Sequence, residues 1–203
     1  MNPSAKSRTY RMVLCALFAA LIAVGAFIRI PVPLVPFTLQ TFFVSLAGML
    51  LGRKLGALSA LLYLFIGLIG LPVFTQGGGI GYVLKPSFGY LIGFVLGAFV
   101  TGTIARKSDK PSFGRLLCAA LSGLAVIYTL GSVYFYFLSN YYLGNPVGVW
   151  TALLYCFVVF IPGDGAMSIV AALVAKRMIP ILEKNNLNLG RIYLRTAEQM
   201  LRR

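Results

Sequence analysis

The sequence predicts an all-α integral membrane protein, a bundle of six transmembrane helices with both termini cytoplasmic. Three observations predict it. Hydrophobic residues fill 59% of the 203 positions and charged ones only 11%, with a mean hydropathy of +0.88, whereas globular domains carry about 25% charged residues. Apolar runs long enough to cross about 30 Å of hydrocarbon recur along the chain. The basic residues gather at one set of span ends.

The first span runs from about Tyr10 to Ile30. Lys6, Arg8 and Arg11 precede the apolar stretch Met12 to Ile30 as in a signal peptide, but that stretch is longer than an h-region and further spans follow, so it reads as a retained helix. The second runs from about Pro36 to Leu51 and the third from about Leu55 to Leu71. The fourth covers about Ser87 to Ala105, the fifth about Phe113 to Leu138 and the sixth about Val147 to Lys176. Of the eighteen Lys and Arg residues, only Arg29 and Lys85 then lie outside, which leaves sixteen inside. This positive-inside bias sets the orientation. Tyr141, Tyr142 and Trp150 fall at the outer interface, where an aromatic belt is expected.

Residues 1–9 form a cytoplasmic N-terminus, 10–180 the six-helix substrate-binding domain and 181–203 a basic cytoplasmic segment. The net charge of +14 follows membrane topology and not nucleic-acid binding. Cys15, Cys118 and Cys156 lie in apolar segments without metal spacing and read as small hydrophobes. The chain has no His and no phosphate-binding GxxxxGK[ST] loop. Its four acids are Asp109, Asp164, Glu183 and Glu198, and three belong to cytoplasmic segments. The membrane therefore holds no carboxylate pair for acid–base chemistry and no metal cluster, so an enzyme is not expected.

Asp164 is the exception, one carboxylate within the apolar run "FVVFIPGDGAMSIVAALV". A charge there costs on the order of 3 kcal/mol or more unless it is paired. Either a neighbouring helix satisfies it or a ligand does, and a group offering two parallel N–H bonds would suit it. Pro162 and Gly163 before it are expected to kink the span.

The outer segments carry the remaining polar groups. Pro31, Pro33 and Pro36 predict a stiff, extended link ahead of Thr38, Gln40 and Thr41. On a helix, Thr38 and Thr41 share a face while Gln40 lies about 200° from Thr38, so at most one pairing points inward. The segment "PVFTQGGGIGYVLKPSFGY" has the glycines for sharp turns or a close backbone approach to a ligand. Pro86 suits the first turn of the fourth helix, leaving free amide donors at Ser87 and nearby. With Lys85 adjacent, that helix start is a physical anion site; alternatively Lys85 snorkels to headgroups.

Small residues recur at four-residue spacing: Ala16 with Ala20, Ala19 with Ala23, Gly48 with Gly52 and Gly56, and Gly93 with Gly97. Such faces allow close helix approach, for internal packing or for docking a second membrane protein.

The stretch "VPFTLQTFFVSLAGMLLGRKLGALSALLYLFIGLIGLPVF", with the glycine-rich segment, "GYLIGF" and "PGD", resembles the biotin-specific S components of energy-coupling factor (ECF) transporters over roughly Phe18 to Ala172. The resemblance implies six helices and cytoplasmic termini in a prokaryotic plasma membrane. It also implies biotin as the transported ligand with no other cofactor, and lipid, a transmembrane coupling protein and two cytoplasmic ATPase subunits as partners. The usual docking motif falls on Ala16 and Ala20, with Ala19 and Ala23 as second choice. The chain departs from the family at Met167, where a Lys is frequent, and at "KPSFGY" in place of G-P-T-G-G-Y.

On this resemblance Asp164 would accept the ureido N–H groups, and Lys85 with the fourth-helix start near Ser87 would hold the valerate carboxylate, with Arg29 as the alternative. Thr38 and Gln40 would complete the polar lining, and Tyr82, Phe88 and Tyr90 would wall the ring. Rival readings are a related ureido or vitamin-like ligand, a stand-alone transporter without ATPase partners, or a scaffold without a ligand.

Overall fold

The computed structural model describes residues 3–30, 37–108 and 110–184. Helix α1 spans Pro3–Phe27, and a two-residue hairpin follows in which β1 (Arg29–Ile30) pairs antiparallel with β2 (Phe37–Thr38). Helix α2 spans Gln40–Leu68, α3 Phe88–Ala105, α4 Phe113–Tyr141, α5 Val149–Cys156 and α6 Ile161–Lys184. Among the described residues, five helical segments are long and apolar enough to cross a membrane, the last being Val149–Leu182. The expected prolines at 31, 33 and 36, and most of the C-terminal segment, lie outside the described residues.

The second and third expected spans both fall in α2, which is interrupted at Gly52 (φ 80°, ψ 178°). A straight helix would hold Gln40 and Tyr63 about 35 Å apart at 1.5 Å per residue. Instead the Gln40 amide donates to the Tyr63 hydroxyl at 2.8 Å. A Cβ on Gly56 would come within 2.9 Å of the Gly48 Cα. The chain therefore reverses at Gly52, in a backbone region that only glycine adopts without strain. Arg106 donates to the Leu50 carbonyl at this turn, satisfying an acceptor that the helix end leaves open.

The glycine pairs are internal packing. A Cβ on Gly48 would lie 2.7 Å from the Ala98 carbonyl, and one on Gly93 would lie 2.9 Å from the Ile127 Cα. They let α2, α3 and α4 meet backbone to backbone. Among the cysteines, Cys15 and Cys156 are buried and Cys118 is exposed.

The last span departs from expectation. The break falls at Phe157 (φ −133°, ψ −63°), and a 3₁₀ turn at Val158–Phe160 leads into α6. Pro162 and Gly163 do not kink a helix, as expected above; they open one. Proline fits there because first-turn N–H groups have no intrahelical partner. Asp164 thereby sits in the first turn of α6, where the helix dipole favours negative charge by about 0.3–1 kcal/mol.

The small-residue face of α1 divides. Ala16 and Ala20 are exposed, beside exposed Met12, Val13 and Leu17. Ala19 is buried in the core and Ala23 packs against it, so this second pair faces the bundle and not a partner.

Candidate binding site

A cavity opens where the start of α2, the loop joining α2 to α3 (the 70s loop), α3, α4 and the start of α6 converge. Ligand pockets commonly have apolar walls and a few precisely placed polar groups. Asp164, 4% exposed, is the one charged residue in its lining among the described residues. Thr41 donates to its Oδ1 and Tyr128 to its Oδ2. Hydrogen bonds to a charged group contribute about 1.5–3 kcal/mol each, so the two offset part of the burial cost. Each carboxylate oxygen can accept a second bond, so Asp164 keeps acceptor capacity toward the cavity.

The PGD motif builds this corner one residue at a time. Pro162 starts α6, Gly163 admits the Phe37 ring where a Cβ would come within 2.7 Å, and Asp164 reaches the cavity. Phe37 stacks on Phe160 at 6.2 Å, and Tyr128 meets Phe157 edge-on at 5.1 Å. These rings hold the Tyr128 hydroxyl against the carboxylate. Tyr90 crosses to α5, donating to the Cys156 carbonyl at 2.8 Å, which the helix break leaves free.

Thr38 and Gln40 both line the cavity, together with Thr41. The helical angle that set them apart does not apply, because Thr38 lies in β2 and α2 begins at Gln40. The Gln40 backbone N–H donates to Thr38 Oγ1 at 3.4 Å, and the Thr38 hydroxyl donates to Gln40 Oε1 at 3.2 Å.

The 70s loop forms the rim. Tyr63 donates to the Val73 carbonyl at 3.1 Å and Arg29 to the Thr75 carbonyl. The Thr75 and Tyr82 hydroxyls are bonded at 2.8 Å, and Tyr82 to Ser87 at 3.0 Å. Gly67 leaves room for Phe74 beneath this rim, since a Cβ there would fall 2.1 Å from the ring.

Of the expected site residues, the structure brings Asp164, Gln40, Thr38, Tyr82, Ser87 and Tyr90 to one cavity. It does not bring Lys85 or Phe88 there. Lys85 is exposed outside the lining, and Phe88 is buried against Tyr134 at 5.7 Å. Two amide donors near Ser87 are also spent: Phe88 N–H donates to Lys85 O and Tyr90 N–H to Ser87 O. Pro86 precedes α3 and is not in its first turn. Sequence reasoning left out Phe37, Thr75, Leu91, Phe94, Tyr128 and Phe160, and named Thr41 without a role. The requirement that buried Asp164 have donors was the signal for Tyr128 and Thr41.

A sequence profile of the BioY family matches residues 1–184. The "Probable biotin transporter BioY" of Lysinibacillus sphaericus is 49% identical over 174 residues, covering 85% of this chain and 88% of the relative. The "Biotin transporter BioY" of Thermotoga maritima is 43% identical over 169 residues, covering 83% of this chain and 95% of the relative. Among solved structures, the S-component for biotin from an ECF-type ABC transporter superposes with a TM-score of 0.75 at 30% identity. That match covers 88% of this chain and 94% of the solved one.

Proposed function

The chain belongs to the BioY family, and from that premise we propose that it is the substrate-capture membrane subunit of an ECF-type ABC transporter. It binds biotin with high affinity from the outer face and hands it on for uptake. It is a transporter component and not an enzyme; biotin is its cargo, and no cofactor enters the reading. The observation that carries this is Asp164, a buried carboxylate with spare acceptor capacity in a cavity otherwise walled by neutral side chains. A cyclic urea offers an N–H donor on either side of its carbonyl, and Asp164 can accept one of them.

The two arms of α2 count as separate passes, and α5 with α6 as one. This reading gives six passes and puts both termini on the cytoplasmic side of a prokaryotic plasma membrane, in keeping with the charge bias. The ligand carboxylate then lies at the cavity mouth. Arg29, tied to the rim at Thr75, is its first candidate partner, and exposed Lys85 the second. Exposed Ala16 and Ala20 are the docking face for the coupling protein, which two ATPase subunits drive.

Uptake of labelled biotin tests this in cells that lack their own biotin uptake. Expression with the coupling protein and ATPases should give uptake, and expression alone should not. Equal uptake without partners would point to a stand-alone transporter.

A further inference from the structure

Hydrogen-bond counting fixes the orientation of Gln40, which is 3% exposed and lines the cavity. The Val73 carbonyl can only accept, so the one proton of the Tyr63 hydroxyl goes to it. Tyr63 must then accept from Gln40, which assigns Nε2 to the 2.8 Å contact and leaves Oε1 to accept from Thr38. An amide nitrogen carries two N–H groups. One is spent on Tyr63, and no acceptor for the other occurs among the described residues. The neighbouring Thr41 holds Asp164, so a fixed donor and a fixed acceptor line one cavity.

We propose that Gln40 is a specificity-determining residue, donating its second N–H to the carbonyl oxygen of a cyclic urea, one of whose N–H groups Asp164 accepts. This rests on the biotin reading above and adds which chain atom reads the carbonyl. A site built to meet a hydrogen-bonding group discriminates strongly against an analogue that cannot return the bond, because its own polar group is left unpaired. The analogue 2-iminobiotin supplies that case. Its guanidinium carries N–H where biotin carries the accepting oxygen, and the rest of the molecule is unchanged.

Dissociation constants for biotin and 2-iminobiotin, measured on the purified full chain as wild type, Gln40→Met and Gln40→Glu, test the assignment. Gln40→Met changes no charge and should weaken biotin about tenfold while leaving 2-iminobiotin unchanged or tighter. Gln40→Glu turns the donor into an acceptor and should move the preference further toward 2-iminobiotin. Equal losses for both ligands in both variants would overturn the proposal, since a glutamine that only steadied Tyr63 would affect both alike. If Gln40→Met does not fold, an unchanged ligand ratio in Gln40→Glu overturns it. Wild type that binds no biotin overturns the functional reading and this assignment together; wild type that binds biotin with no shift in preference overturns the assignment alone.

Discussion

The Tyr128 hydroxyl on α4 donates to the Asp164 carboxylate on α6, joining residues 36 positions apart. The same ring packs on Phe157 and Phe160, so the oxygen is positioned independently of the bond it makes. Tyr128→Phe keeps the packing and removes the donor. Biotin affinity should fall about tenfold, the effect of losing one bond to a charged group. In an Asp164→Asn background the same change should cost much less, because the two residues share one interaction. Full additivity in an equilibrium binding cycle would separate them.

Ala16→Trp combined with Ala20→Trp alters an exposed face of α1 that lines no part of the cavity. Co-purification with the coupling protein should be lost, and biotin affinity of the isolated subunit should stay within about threefold, since distant sites are independent. A matching loss of binding would assign the face to the bundle. Ala19→Trp is the contrasting variant and should disrupt the fold, because Ala19 is buried in the core and overpacking typically costs about 1–3 kcal/mol or more.

Biotin methyl ester keeps the ring and lacks the negative charge, so it separates the two outer cations. Arg29→Met should weaken biotin but leave the ester nearly unchanged. Lys85→Met should leave both within about threefold, as befits a residue outside the cavity lining. If Lys85→Met selectively weakens biotin, the exposed lysine reaches the carboxylate after all. If Arg29→Met weakens both ligands equally, Arg29 serves only the rim through Thr75.

Gly52→Ala places a side chain at φ 80° and ψ 178°. Such strain costs about 1–3 kcal/mol. The melting temperature in detergent should drop by several degrees with little change in biotin affinity, since Gly52 is not among the cavity residues. An unchanged melting temperature would mean that the turn has another low-energy geometry.

Hydropathy and charge placement made the membrane class legible, because lipid leaves the backbone few choices and sets span lengths. Asp164 was legible for the same reason, since its burial in an apolar run demands partners. What stayed hidden depended on local backbone geometry. Thr38 and Gln40 seemed to face apart only while both were counted on a helix, and two extended residues at β2 bring them together. Pro162 resembled a kink because proline is read as a breaker, yet it also opens helices. Tyr128 carried no signal of its own, as a tyrosine in a span is equally a packing ring. Lys85 drew attention through its charge and sequence neighbours, but it follows the 3₁₀ turn at Ile80–Leu84 and is exposed outside the cavity lining.

Equilibrium binding of biotin to the purified chain, wild type against Asp164→Asn, tests the central claim most directly. Asparagine keeps the shape and converts one acceptor oxygen into a donor that would oppose a ureido N–H. The account predicts tight binding by wild type and a loss of about 2–3 kcal/mol in the variant, roughly 30- to 150-fold, with the fold retained. Wild-type affinity in the Asp164→Asn protein, accompanied only by lower stability, would contradict it and make Asp164 a structural link between α2, α4 and α6.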